Sequence, residues 1–202
     1  LLMGTSVRFV GTCTIGIDHI DTDYLKQQGI AFASAPGCNA AAVVDYVLTA
    51  ILAVYNDFFQ LQNKRVGIVG CGEVGGRLLA RLQQLNINAL VYDPYKPQNN
   101  ASLQDILQCD VISLHVPLVK TGDHPTWHLL AEQELKRIKK GALLINTSRG
   151  EVVDNQQLYA LLLEKRFHCV LDVYEEEPSP KIELLYALDI ATAHIAGYSA
   201  HG

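Results

Sequence analysis

The chain of 202 residues lacks several patterns that mark broad classes of protein. Its five cysteines are scattered, odd in number and form no CxxC pair, which argues against a disulfide framework and against a zinc or other metal site. We therefore expect reduced thiols in a cytoplasmic protein. An excess of basic residues is also missing, since the net charge is −5, and this balance argues against nucleic acid as a partner.

Long hydrophobic runs are missing as well. The longest apolar segment, Ala40–Tyr55, is shorter than the roughly 20 residues that a membrane span requires, and Asp45 lies within it. We predict instead a helix that is apolar nearly all round and buried between two bodies, and we expect no membrane partner. Because the chain starts without a methionine and stops directly after a motif-like segment, we expect an internal portion of a longer protein.

The strongest pattern that is present is Gly70-x-Gly72-x-x-Gly75, between an apolar run at 65–69 and an amphipathic helix. A second apolar run follows the helix and ends in Asp93. In a dinucleotide site the first glycine makes a tight turn, the second admits a pyrophosphate, and the third lets helix and strand pack closely. The helix N-terminus holds the phosphates, and Asp93 accepts hydrogen bonds from the ribose hydroxyls. The alternative, a Gly-rich turn in an unrelated α/β unit, does not require the terminal acid.

Apolar runs alternate with helical patterns, which predicts an α/β fold with a doubly wound parallel sheet. We divide the chain into 1–39, a remnant of a substrate domain; 40–59, an interdomain helix; 60–195, a dinucleotide-binding domain; and 196–202, the start of a return to the substrate domain. The predicted strands are 7–14 (running into a loop), 30–33, 65–69, 89–92, 111–116, 141–146, 168–173 and 189–193, and further helices are predicted at 21–28, 102–108, 131–138 and 155–165.

Three groups of residues that suit chemistry follow directly after predicted strands, namely Arg149, the segment 172–177 and His194. Ligands of such a sheet bind at the carboxyl ends of its strands, so these side chains are expected in one crevice. Arg149 would bind a substrate carboxylate or carbonyl, and His194 would exchange a hydroxyl proton. A carboxylate behind the imidazole would orient it. Taken singly, each has an alternative: a surface ion pair, a solvated acidic face or a structural histidine.

Four ordered motifs resemble the D-isomer-specific 2-hydroxyacid dehydrogenases. They are Gly70-x-Gly72-x-x-Gly75 with Asp93, Asn146-Thr-Ser-Arg149-Gly-Glu-Val-Val-Asp154, Leu171-Asp-Val-Tyr-Glu-Glu-Glu177-Pro178 and His194-Ile-Ala-Gly. The resemblance implies an NAD-dependent enzyme with a Rossmann-like NAD-binding domain and part of a flavodoxin-like substrate domain. It assigns substrate binding to Arg149, the acid/base role to His194 and the carboxylate partner of that histidine to Glu177.

The same resemblance implies the remaining contacts. The implied cofactor-binding residues are Gly70, Gly72, Glu73, Val74, Gly75, Asp93, Val116, Asp172 (near the nicotinamide carboxamide) and Gly197. The implied substrate-binding residues are Thr14, Arg149 and Tyr198. We interpret Glu175 and Glu176, the neighbours of Glu177, as solvated.

Three further segments narrow the substrate within the family. Residues 9–19, 35–40 and 194–198 resemble members that act on a small phosphorylated 2-hydroxy acid with a four-carbon chain, and a phosphorylated three-carbon acid is the alternative. The resemblance also implies a homodimer of the full-length protein. An NAD(H)-sensing scaffold or corepressor on the same fold is a distant alternative, because such a protein needs the glycine loop but not Arg149, Glu177 and His194.

Overall fold

The structure, a computed structural model, describes residues 2–12, 16–17, 19–56, 61–96 and 101–199. Within these ranges the strands form two parallel sheets. The smaller sheet pairs β1 (Phe9–Thr12) with β2 (Ala31–Ser34), and α1 (Thr22–Gln27) connects them. Helix α2 (Ala40–Tyr55) then leads toward the larger sheet.

The larger sheet has six parallel strands in the order β4-β3-β5-β6-β7-β8. The strands are β3 (Arg65–Val69), β4 (Asn88–Tyr92), β5 (Val111–Leu114), β6 (Leu143–Asn146), β7 (His168–Leu171) and β8 (Ile190–Ala191). The helices between them are α3 (Glu73–Gln84), α4 (Leu103–Leu107), α5 (Glu132–Arg137), α6 (Asn155–Leu163) and α7 (Ile182–Ala187). The strand order reverses between β3 and β5, which is where open α/β sheets bind ligands. The predicted α/β class with a parallel, Rossmann-like sheet is confirmed.

Hydrophobic layers cover both faces of the larger sheet, as parallel strands require. Successive side chains of a strand point to opposite faces, so Ile112 belongs to one layer while its neighbour Val111 belongs to the other. The first layer is completed by α4, α5, α6 and α7, and the second by α2 and α3. This packing fixes the sheet between two sets of helices and leaves the strand ends for the loops.

Several strands end earlier than the sequence predicts, because pairing partners run out. β5 ends at Leu114, which pairs with Val69, the last residue of β3. β7 likewise ends at Leu171, opposite the last residue of β6, Asn146. The residues that follow these strands therefore become loops at one common edge of the sheet. Part of the predicted loop after β1, residues 13–15, lies outside the described ranges.

Helix α2 spans the predicted residues, Ala40–Tyr55, while its burial between two bodies stays a prediction. It is buried along one face, which repeats at helical spacing and consists of Ala40, Val43, Val44, Val47, Ala50 and Ile51. That face packs against α3 and the sheet. The opposite side carries Asp45 and Leu52 and is exposed in the described structure, because the described elements cover the helix from one direction only.

Gly75 shows why the glycine motif needs its third glycine. A Cβ atom at Gly75 would lie 2.0 Å from the carbonyl oxygen of Gly70, which is far inside van der Waals contact. Helix α3 can therefore approach the end of β3 only while position 75 carries no side chain. This backbone contact sets the distance between the end of β3 and the start of α3.

Replacing Gly75 with alanine is expected to lower the free energy of unfolding by about 1–3 kcal/mol or more, since backbone must shift to admit the methyl group. Chemical denaturation would measure the loss. Gly76→Ala is the matched control, because a Cβ there lies 3.9 Å from its nearest neighbour and alanine favours a helix. Equal stabilities for the two variants would contradict the packing argument.

Candidate active site

The candidate site lies at the carboxyl ends of the strands of the larger sheet. Loops that follow β3, β5, β6, β7 and β8 carry the glycine motif, Val116, Arg149, the segment 172–177 and His194. The parallel register places these strand ends side by side, with the switch point between β3 and β5 among them. The topology thus brings residues that are far apart in sequence to one edge.

The glycine loop has the shape that a dinucleotide phosphate requires. Gly70 adopts a φ of +86°, and a Cβ there would lie 2.5 Å from the His115 carbonyl oxygen, so only glycine makes this turn. Gly72 is the N-cap of α3 and has no side-chain cap, and a Cβ on it would meet nothing within 4 Å. The first-turn N–H groups have no partners within the helix, so this uncapped N-terminus suits the diphosphate of NAD.

Asp93 lies beside this loop, and its predicted contact with the ribose stays a prediction. One carboxylate oxygen accepts a hydrogen bond from the Cys71 N–H at 2.9 Å, and the other accepts one from Tyr95 N–H at 3.0 Å. The residue is 9% exposed. Lys96, whose ammonium group donates to the Cys71 carbonyl oxygen, comes from the same turn. These bonds connect the end of β4 to the glycine loop.

The turn after β6 holds Arg149 through one amide side chain. The Asn146 Oδ1 atom accepts from the backbone N–H of Ser148 at 3.0 Å and from its hydroxyl at 2.8 Å, while Nδ2 donates to the Arg149 carbonyl at 2.8 Å. Asn146 is 1% exposed, so its amide is fixed. The guanidinium of Arg149 donates to the Ser148 carbonyl at 2.7 Å. Asn146 is thus a positioning residue to which sequence reasoning gave no role.

The structure brings Glu177 and His194 together. The Nδ1 atom of His194 lies 2.9 Å from Oε2 of Glu177, while Oε1 of Glu177 accepts from the Tyr174 N–H at 3.0 Å. The backbone of residues 174–177 therefore holds the Glu177 carboxylate, and the carboxylate orients the His194 imidazole. With Nδ1 engaged, Nε2 is the ring nitrogen that can meet a substrate hydroxyl. The His194 and Glu177 side chains remain 51% and 35% exposed, so a molecule in solution can reach them.

Asp172 organises the loop that carries His194. Its carboxylate is 1% exposed and accepts hydrogen bonds from the Ile195 and Ala196 N–H groups at 2.8 Å each, and from the Thr192 hydroxyl at 2.6 Å. The Asp172 carbonyl oxygen accepts from the His194 N–H at 2.8 Å. His194 has a φ of +55°, a conformation that costs of the order of 1–3 kcal/mol for a non-glycine residue. These bonds offset that cost, and the nicotinamide contact of Asp172 stays a prediction.

Glu175 is a correction to the predicted solvated acidic run. Its side chain is 23% exposed; Oε1 is hydrogen-bonded to Nε2 of His128, and Oε2 accepts from the Asn155 N–H at 3.0 Å. Glu176 agrees with the prediction, because it is 55% exposed and pairs with Lys181 at 3.2 Å. The prediction of a solvated side chain is wrong at Glu175 because the turn directs the adjacent side chains of Glu175 and Glu176 to different sides.

The turn with Arg149 and the turn with Glu177 touch through backbone atoms. A Cβ at Gly150 would lie 1.9 Å from the Tyr174 carbonyl carbon and 2.4 Å from the Glu175 nitrogen. The bond from Asn155 N–H to Glu175 supports the same contact. Gly150 therefore fixes the separation between the arginine and the carboxylate that orients the histidine.

The other predicted site residues differ in how closely they are packed and in how exposed they are. The Val116 side chain lies against Gly70, and Gly197 packs against the Asn39 side chain, whose Nδ2 would lie 2.5 Å from a Cβ at that position. Tyr198 is 79% exposed. Thr14 lies outside the described residues.

Across the described residues, no helix has the length and hydrophobicity to span a bilayer. The same ranges contain no cluster of three or more histidine, cysteine or acidic side chains arranged to bind a metal ion.

This chain belongs to the D-isomer-specific 2-hydroxyacid dehydrogenase family. The family model described as "D-isomer specific 2-hydroxyacid dehydrogenase, NAD binding domain" matches residues 53–196. The match confirms the family resemblance and the prediction of NAD as cofactor of this domain.

Two relatives and two solved structures show how similar this chain is to known proteins in sequence and in fold. Erythronate-4-phosphate dehydrogenases of Pseudomonas putida (strain W619) and Cellvibrio japonicus (strain Ueda107) are 52% and 50% identical to it, over 100% of this chain and 55% and 54% of their own length. D-Lactate dehydrogenase from Aquifex aeolicus, complexed with NAD and lactic acid, has a TM-score of 0.79 at 27% identity, covering 96% of this chain and 71% of that one. NAD⁺-bound 3-phosphoglycerate dehydrogenase of Entamoeba histolytica has a TM-score of 0.82 at 25% identity, covering 96% and 67%. The chain thus spans about half the length of the curated relatives.

Replacing Gly150 with alanine is expected to force the arginine turn away from residues 174–175, because backbone atoms cannot yield as a side chain can. We expect a lower thermal midpoint, equivalent to about 1–3 kcal/mol of unfolding free energy. Differential scanning calorimetry would measure it, with Gly76→Ala as control because that position has room for a methyl group. An unchanged midpoint would mean that the two turns are not locked together.

Proposed function

We propose that the full-length protein containing this chain oxidises the 2-hydroxyl of 4-phosphoerythronate to the 2-oxo acid with NAD, in pyridoxal phosphate (vitamin B6) biosynthesis. The observation that carries the proposal is the Glu177–His194 pair at 2.9 Å, in the NAD-binding domain of a 2-hydroxyacid dehydrogenase family. The likeness to erythronate-4-phosphate dehydrogenases over the whole chain supports this substrate. The proposal extends to a homodimer of full-length chains in the cytoplasm.

His194 takes the proton of the substrate 2-hydroxyl on Nε2. The carboxylate of Glu177, held at 2.9 Å from Nδ1, stabilises the positive charge that the imidazole then carries. Its other oxygen is fixed by the Tyr174 N–H, so the carboxylate does not have to reorganise as the charge appears. The proton leaves to solvent after the oxidised product departs.

Arg149 binds the substrate through its planar, forked donors. A 2-hydroxy acid presents a carboxylate next to the reacting hydroxyl, and a guanidinium can donate to oxygens of both groups. The Asn146 amide and the contact at Gly150 fix the turn that carries Arg149. The arginine can therefore hold C2 of the substrate at a set distance from His194.

The cofactor would be held by the glycine loop and by Asp93. The uncapped N-terminus of α3 would hold the diphosphate, and Asp93, which is bonded to the glycine loop, would hold the adenosine ribose. NAD⁺ supplies the acceptor for the hydride that leaves C2 as the hydroxyl becomes a carbonyl. Asp93 favours NAD over NADP, because a 2′-phosphate would bring a second negative charge beside its carboxylate.

A phosphoglycerate dehydrogenase is the second candidate, since the structural likeness to the Entamoeba histolytica enzyme is strong. Steady-state kinetics of the full-length protein on 4-phosphoerythronate and 3-phosphoglycerate would separate the two. A higher kcat/KM for 4-phosphoerythronate supports the proposal, and the reverse order replaces it with the second candidate. NADH binding without turnover of either acid would instead favour an NAD(H)-sensing role.

Replacing His194 with alanine is expected to lower kcat about 10²–10⁴-fold while NADH binding stays near wild type, since the variant loses only an acid/base group. His168→Ala is the matched control, because His168 pairs with Asp189 at 2.8 Å but lies at the opposite ends of the strands. Stopped-flow kinetics and fluorescence titration of NADH would give the two quantities.

The partner carboxylate provides the check on this assignment. Glu177→Gln removes the negative charge that stabilises the imidazolium formed in the reaction, so kcat should fall while NADH affinity stays near wild type. An unchanged kcat in Glu177→Gln, or an equal loss of activity in His168→Ala, would assign the acid/base role elsewhere.

Replacing Arg149 with lysine keeps the charge but removes the fork. We expect kcat/KM to fall by about tenfold or more, because a charged hydrogen bond contributes about 1.5–3 kcal/mol, while NAD binding is unaffected. Arg81→Lys, on the exposed side of α3, serves as control. Near-wild-type kcat/KM in Arg149→Lys would make Arg149 a surface ion-pair residue.

A further inference from the structure

Helix α2 reaches the loop that carries His194 through one hydroxyl group. The Tyr46 hydroxyl lies 2.6 Å from the Thr192 hydroxyl, 146 positions further along the chain. Thr192 in turn lies 2.6 Å from the Asp172 carboxylate. Neither Tyr46 nor Thr192 has a role in the reaction described above, and no local sequence pattern links them.

The chemistry of the three groups sets the direction of each hydrogen bond. An ionised carboxylate only accepts, so the Thr192 hydroxyl must donate its single proton to Asp172. Thr192 then has only lone pairs left for Tyr46, and the phenol must be the donor. Burial raises the pKa of Tyr46, so the phenol keeps its proton at neutral pH. The result is a series of two hydrogen bonds with fixed direction: Tyr46 donates to Thr192, and Thr192 donates to Asp172.

This series of hydrogen bonds ends at the backbone on either side of His194, the proposed acid/base. Asp172 accepts from the N–H groups of Ile195 and Ala196, directly after His194, and Thr192 lies two residues before it. A second contact connects the same two parts of the molecule: the Asn39 side chain, at the N-cap of α2, packs on Gly197. The first turns of α2 therefore touch the His194 loop at both of its ends.

We propose that Tyr46 and Thr192 are positioning residues that hold, through Asp172, the loop on which His194 stands. This inference rests on the proposed function for its effect on turnover, but not for its effect on the loop. The Tyr46 hydroxyl restricts the Thr192 hydroxyl to the orientation that serves Asp172, and Asp172 then keeps its oxygens aimed at the two backbone N–H groups. The position of His194 thereby depends on the position of helix α2.

The experiment uses Tyr46→Phe, Thr192→Val and the double variant in the full-length protein. Tyr55→Phe is the matched control, because Tyr55 also lies on α2 and donates to a carbonyl, that of Asp110, at the far end of the helix. Thr192→Ser is the conservative variant, since it keeps the hydroxyl. For each protein we would measure kcat, KM, NADH affinity, the thermal midpoint, and the amide hydrogen exchange of Ile195 and Ala196.

We expect Tyr46→Phe to lower kcat about 3- to 10-fold, the range that corresponds to one hydrogen bond, and Thr192→Val to lower it at least as far. NADH affinity should stay within about twofold, because the glycine loop that binds the diphosphate is untouched. The double variant should be no worse than Thr192→Val alone, since both changes remove the same bond. Thr192→Ser should recover most of the activity, and Tyr55→Phe should match wild type in kcat.

Amide exchange separates this inference from the proposed function. Faster exchange of Ile195 and Ala196 in Tyr46→Phe and Thr192→Val, but not in Tyr55→Phe, supports the loop contact even if no 2-hydroxy acid is turned over. Unchanged exchange at both amides overturns the inference, whatever the activity. Additive losses in the double variant, or a fall in the thermal midpoint with kcat and exchange unchanged, also overturn it, because they indicate a merely structural tyrosine.

Discussion

The buried carboxylate of Asp172 is the constraint on which the candidate site depends. A negative charge with 1% exposure is costly unless donors surround it, and the donors available are the Thr192 hydroxyl and the N–H groups of Ile195 and Ala196. Satisfying this one charge therefore dictates the path of the chain after β8. The same path puts His194 at a positive φ and within reach of Glu177. The contact between His194 and Glu177 therefore follows from the need to hydrogen-bond a buried carboxylate.

Contacts between backbone segments fix the rest of the edge. Gly70 lies on the His115 carbonyl, Gly75 on the Gly70 carbonyl, and Gly150 on the backbone at Tyr174, each so close that a methyl group would not fit. Backbone atoms cannot rotate away as side chains can, so these contacts set distances between loops more rigidly than side-chain packing does. The glycine loop is thereby fixed to the backbone after β5, and the arginine turn is fixed to the carboxylate turn. Contacts of this kind form a frame that holds side chains in place before a ligand arrives.

The sequence predicts those features that have a local period or a fixed spacing. The strand–glycine–helix–strand unit around Gly70 and the alternation of strands and helices suffice for the parallel fold, because each depends on neighbours in the chain. Contacts that join distant positions leave no such pattern, which is why the Glu175–His128 pair and the Tyr46–Thr192 bond were not anticipated. Hydrophobicity on every side of α2 likewise does not reveal which of its sides the described elements cover.

The frame also bears on how substrates are distinguished within the family. Arg149, Glu177 and His194 stand on turns that are locked to one another by Gly150, Tyr174 and Asp172. Under the proposed function, these three side chains therefore keep one spacing for every substrate. Solved relatives with the same fold are named for lactate and for 3-phosphoglycerate. If, under the proposed function, the shared frame serves the common 2-hydroxy acid end, selection of the remainder depends on segments outside the frame, and the chain spans only about half the length of its curated relatives. Within the described residues, Asn39 packs against Gly197 and Tyr198 is exposed, and both lie outside the locked turns.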